Sequence, residues 1–179
     1  ADEAMRRLYA VTGETDSSIE ALSNLMASGF NDNTMLEAVE ALSGAVIRFP
    51  DTIPIESLAD SLQETLATKE ATGAFAEVLG RVGINVEEYN KKIGKMSEAG
   101  ARNYTMSLLQ KAGLAETAKE WEANNKEMVE ANKAAYDLQK TQADLGAAME
   151  PLRTQILQQV NKLLTDNKET IEKLITTVG

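Results

Sequence analysis

Apolar residues recur at intervals of three and four along nearly the whole chain, a spacing that predicts helices and no strands. Met5, Leu8 and Tyr9 open the pattern over residues 2 to 11, and Gly13 is placed to stop it. A second helix is expected from Ser17, where Ser17 and Glu20 have capping-box spacing and Ile19, Leu22, Leu25 and Met26 form the stripe. Gly29 ends it. Thr34 and Glu37 repeat the box ahead of Leu36, Val39, Leu42 and Val46. The segment EALS occurs at 20–23 and again at 40–43. A duplicated hairpin and chance recurrence of common helix residues both account for it.

Residues 49 to 54 break the pattern, with Pro50 and Pro54 bracketing a turn at Asp51-Thr52, after which Ile55, Leu58, Leu62 and Leu66 mark a fourth helix. Phe75, Val78 and Leu79 belong to a short fifth. Asn85 and Glu88 are spaced to cap a sixth that carries Val86, Tyr89 and Ile93, and Ser97 starts a seventh with Ala101, Tyr104 and Leu108. Short connections between amphipathic helices predict a compact array over residues 1 to 113.

Beyond Gly113 the character changes. Glycine almost vanishes, and Glu122 with Lys126 is an i,i+4 charge pair of a solvated helix. Trp121, Met128, Ala135, Gln142, Met149, Ile156 and Leu163 follow in steps of seven, with Asn124, Ala131, Leu138, Leu145, Leu152 and Gln159 three residues after the first six. This a/d seam, about six heptads long and polar at Asn124, Gln142 and Gln159, predicts a helical arm over residues 114 to 179 that self-associates or else folds back onto the array. Its candidate contact residues are Trp121, Met128, Leu138, Leu145, Met149, Leu152, Ile156 and Leu163. Pro151 removes a helical hydrogen bond and crowds the carbonyl of Ala147, at a cost of about 3 kcal/mol in a helix interior. A kink or break is therefore expected between 146 and 151. A second interruption is expected at Asp166-Asn167, before Ile171, Leu174, Ile175 and Val178. The fold class is all-α: short helices in a compact array, then a long kinked arm.

Composition narrows the chemistry. With 43% hydrophobic but only 4% aromatic residues, aliphatic side chains must fill the core. A net charge of −10 argues against nonspecific binding to nucleic acid or anionic membranes, both of which need a basic footprint. No apolar run is long enough for a membrane span. The absence of cysteine and histidine removes disulfides, thiol nucleophiles and the commonest metal ligand and general base. Glu116, Glu120, Glu127 and Glu130 fall where a solvated helical face would be, and the glycines do not form a phosphate-cradling loop. No catalytic, cofactor or metal site is expected. The chain begins with Ala1 and enters directly into helical sequence, which suggests a piece of a longer protein.

The runs MRRLYAVTGET (5–15), IEALSNLMASGF (19–30), LEAVEALSGAVIRFPDTI (36–53), IESLADSLQETLAT (55–68) and VGINVEEYN (82–90), with LGAAMEPL (145–152), resemble tail tape measure proteins of long-tailed bacteriophages and prophages. The resemblance implies a structural virion protein that lies extended in the tail-tube lumen and sets tube length. It further implies presence in the bacterial host cytoplasm during assembly and a part in DNA delivery. Implied partners are further copies of the chain, tail-tube and tail-tip proteins and tail assembly chaperones. The chain departs from the family in its short length, and it lacks the strongly apolar segments and peptidoglycan-cleaving modules found in some members. The residues alone fit equally a cellular helical adaptor, or a secretion-associated module, that binds a protein partner through the seam.

Overall fold

The computed structural model describes residues 2–50 and 53–166, with the side chains of 32, 33, 163, 164 and 166 excepted. Every regular element among them is a helix: α1 (Asp2–Thr12), α2 (Thr15–Ala27), α3 (Asp32–Arg48), α4 (Ile55–Thr68), α5 (Gly73–Arg81), α6 (Val86–Ile93), α7 (Glu98–Lys111), α8 (Leu114–Asn124) and α9 (Lys126–Asp166). The fold class is all-α, with shorter helices followed by one long one.

Two of the expected caps form. Asn85 accepts from the Glu88 N–H at 2.9 Å, and Ser97 accepts from the Gly100 N–H at 3.1 Å. The other two are displaced. α2 begins at Thr15, so Ser17 lies inside the helix and the cap position is Glu14, whose side chain makes no cap bond. At α3 the Thr34 hydroxyl accepts from the Asn31 N–H at 3.1 Å. Thr34 is thus the reaching-back member of a capping arrangement that opens at Asn31, three residues earlier than the sequence suggests.

The chain divides into two units, Ala1–Tyr136 and Asp137–Gly179. In the first unit, α3 with α8 is the most extensive helix pair, followed by α2 with α4. Small residues make the first pairing possible. Ala38, Ala41 and Ala45 of α3 are buried, and a Cβ on Gly44 would lie 1.7 Å from the carbonyl oxygen of Leu114. The α8 backbone therefore rests directly on α3. Gly113, at a left-handed φ of 74°, turns the chain into that contact. Arg48 reinforces it by donating to the Ala112 carbonyl at 3.2 Å.

The core joins Leu8, Leu25, Leu42, Leu58, Leu62, Phe75, Leu79, Ile93, Leu109 and Leu114, all buried. Each contributes about 1.5–3 kcal/mol of hydrophobic stabilisation. Polar groups at its margin are matched. The Ser61 hydroxyl donates to the Ser57 carbonyl and accepts from the Phe75 N–H at 2.9 Å, which ties the start of α5 to α4. Buried Tyr89 pairs its hydroxyl with that of Thr105 at 2.7 Å. Thr105 already donates to Ala101, so Tyr89 is the donor. Burial pushes its phenol up to about 12.

The expected boundary at Gly113 is corrected by this packing. Leu114 and Ala118 are fully buried in the first unit, which continues through α8 and the first turns of α9 to Tyr136. The alternation of Leu114, Ala118 and Val129 with charged residues covers a face of the array and does not begin an arm. α9 itself runs without a break through Gly146 and Pro151. Pro151 lies inside it, so the helix carries the lost hydrogen bond and the crowded Ala147 carbonyl without ending there. The interruption that does occur lies at Asn125, between α8 and α9. Its φ of −117° and ψ of 32° leave the helical region, and its side-chain amide donates to the Trp121 carbonyl at 2.9 Å. A short polar side chain that bonds the preceding turn competes with helix continuation. The interruption expected at Asp166-Asn167 would fall at the end of the described residues, and Ile171, Leu174, Ile175 and Val178 lie outside them.

Candidate functional site

The residues at stake are those on α8 and α9. Within the first unit, the side of α9 that packs is defined by Val129, which is buried, and by half-buried Asn132, Lys133 and Tyr136. These positions are spaced three, four and seven apart, one stripe of a helix. Asn132 donates to the Ala10 carbonyl at 3.1 Å, and Tyr136 donates to Asp2 Oδ1 at 3.1 Å. The Tyr9 and Tyr136 rings lie 5.8 Å apart. Lys133 pairs with Glu122 at 3.8 Å. On the neighbouring helices Glu40 is bridged by Arg7 and by Lys119, so α1, α3 and α8 share one ionic cluster.

The seam positions lie elsewhere. Met128 is 46% exposed, and Ala131 and Ala135 are exposed too, so the heptad pattern of this region points away from the face that packs. Trp121 is half-buried on α8, separated from Met128 by the non-helical Asn125. The seam therefore does not run on one helix from Trp121. Trp121 belongs to a different element from the rest. Asparagine at 124 and 125 is the signal in the sequence that could have shown this, since it is a poor interior helix residue.

In the second unit every described side chain is exposed. Leu138, Leu145, Met149, Leu152 and Ile156 keep their places along one side of α9, joined by Val160, while Leu157 lies about a quarter turn round from Ile156; the heptad reading missed both. Each is between 45% and 60% exposed. Leu163 lies outside the described side chains. A shallow open hollow among Gly146, Met149, Leu152, Arg153 and Ile156 is formed by this one helix, so it is relief on a surface and encloses nothing. The site is an apolar stripe on an isolated helical stretch, suited to packing against another helix.

Among the described residues no group of three or more acidic, histidine or cysteine side chains is arranged to hold a metal ion. No described helix is long and apolar enough to cross a membrane. Comparison with protein-family models, with curated proteins and with solved structures finds no match.

Proposed function

We propose that this chain is a structural segment of a phage tail tape measure protein, acting by length and packing and not by catalysis. The reading rests on one observation: five runs between residues 5 and 90, followed by LGAAMEPL at 145–152, resemble such proteins in order and extent. A ruler needs a fixed rise per residue, and a helix supplies about 1.5 Å. On this reading α9 contributes to the measured length, and the protein works in the tail-tube lumen after assembly in the host cytoplasm. Its partners there are tube and tip proteins and assembly chaperones. The test is an in-frame deletion of the 41 residues of α9 from the parent gene. Tails seen by electron microscopy should shorten by roughly 62 Å. Tails of unchanged length, or a parent gene with no tail genes beside it, would sink the reading.

A cellular adaptor is the second reading, favoured by the compact unit Ala1–Tyr136, since a ruler needs no globular body. It predicts a short parent gene and a heterologous partner on the α9 stripe.

A further inference from the structure

The α9 stripe is ordered symmetrically. Gln142, Leu145, Met149, Leu152, Ile156 and Gln159 read polar, four apolar, polar in either direction, with spacings of three, four, three, four and three. The centre falls between Glu150 and Pro151. We infer that residues 141–160 form an antiparallel two-fold pairing with the same residues of a second copy of this chain. This inference is independent of the phage reading and concerns only what covers the stripe.

Turned end for end about that centre, Gln142 meets Gln159 of the second copy, Leu145 meets Ile156 and Met149 meets Leu152. Each contact is isologous, as a two-fold axis requires. Both glutamines gain an amide partner and no amide faces an apolar side chain, which would leave it unsatisfied. A parallel, in-register pair also stacks glutamine on glutamine, so charge decides between the two.

The charges of the helix are divided. Residues 137–150 hold Asp137, Asp144 and Glu150 against Lys140, whereas residues 151–165 hold Arg153 and Lys162 with no acid. A parallel pair sets acidic half beside acidic half and basic beside basic. The antiparallel pair sets opposite halves together and also opposes the two helix dipoles. Gly146 falls near Arg153 of the second copy, and nothing lies within 4 Å of where its Cβ would be, so the long side chain has room.

The area suffices. Five large apolar side chains on the paired face, Leu145, Met149, Leu152, Ile156 and Val160, each about half exposed, present on the order of 450 Å², a contiguous patch of the size that marks an interaction surface. With the flanking Thr141, Ala148 and Gln155, the pairing buries roughly 600 Å² per copy, the lower end of the range for a specific interface.

The chain has no cysteine, so introduced ones are unique. Two full-length variants, Gln142→Cys and Gln159→Cys, are treated with a short bis-maleimide separately and as an equimolar mixture. In the antiparallel pair the two copies of position 142 lie about 25 Å apart along the axis. The expected result is cross-linked dimer in the mixture and little from either variant alone. Efficient linking of Gln142→Cys with itself would show a parallel register and overturn the inference. So would an absence of linked dimer throughout. Sedimentation of the unlabelled chain at roughly 100 μM, a hundredfold above a micromolar dissociation constant, should give a dimer. Leu145→Asp with Leu152→Asp should return it to a monomer while the near-ultraviolet signal of the packed aromatic residues of the first unit is unchanged. A monomeric or trimeric wild-type chain overturns the pairing and leaves the ruler reading untouched, because that reading stands on tail length.

Discussion

Residues 2–136 and residues 137–166 are both built from helix, yet helix is maintained by different means in the two. In the first region short helices of 8 to 17 residues, too short to persist alone, are held by a shared core. In the second, a stretch of one helix has every described side chain exposed and holds its shape by local propensity. Glycine shows the contrast most plainly. Gly44 exists because another backbone occupies the place of its side chain, and Gly146 faces open space. The same residue is indispensable in one region and a small defect in the other.

The largest expected effect comes from breaking the first region where backbones touch. Gly44→Ala places a methyl 1.7 Å from the Leu114 oxygen, and backbone cannot swing aside as a flexible side chain can. Overpacking usually costs about 1–3 kcal/mol. At this separation the loss should reach about 3 kcal/mol or more, since α8 must part from α3. Urea denaturation would measure it, and a midpoint unchanged from wild type would show that α8 does not rest on α3.

Pro151→Ala is the corresponding change in the second region, with the opposite sign. Removing a proline from a helix interior recovers about 3 kcal/mol of local helix stability. Amide exchange over 145–155 should slow, while exchange in α3 and α4 stays as it was. Faster exchange at those positions would mean that Pro151 is needed where it stands.

Legibility in the sequence followed this same division. Helices whose caps and stripe are both local, such as α6 with Asn85 and α7 with Ser97, could be read directly. Where a boundary depends on what packs from elsewhere, reading failed. The stretch from Leu114 to Tyr136 has the composition of an arm, but Gly44, some 70 positions earlier, admits it into the body. Nothing local announces a gap that distant residues leave open. The exposed stripe was legible from Leu138 onward because exposure and spacing are both local there. Trp121 stands on a different helix from the stripe, since a heptad count passes through Asn125 and a helix does not.

A third test uses pH to address the first region alone. An unfolded tyrosine loses its proton near 10, whereas Tyr89 in the folded chain holds it to about 12. Below the lower value both states are protonated, so the group adds no pH dependence. Between the two values only the folded chain keeps the proton, and stability falls as pH rises. The loss should amount to roughly 2–3 kcal/mol across that window. Tyr89→Phe removes this component without stranding Thr105, which still donates to Ala101. Urea midpoints at about pH 9 and about pH 11.5 should therefore converge more closely in the variant than in the wild type. Equal slopes would mean that the Tyr89 hydroxyl meets solvent.

The smallest effect sharpens the contrast with which the two glycines were compared. Gly146→Ala adds a Cβ that meets nothing within 4 Å, and alanine exceeds glycine in helix propensity by about 1 kcal/mol. The variant should show a modest gain in helicity by circular dichroism and a urea midpoint for residues 2–136 that does not move. The gain would be hidden at high protein concentration if a second copy already holds residues 137–166 helical, so the measurement belongs at low concentration, where no second copy covers them. A loss of helicity there would show that Gly146, like Gly44, has a neighbour, and the two regions would then differ less than their exposure implies.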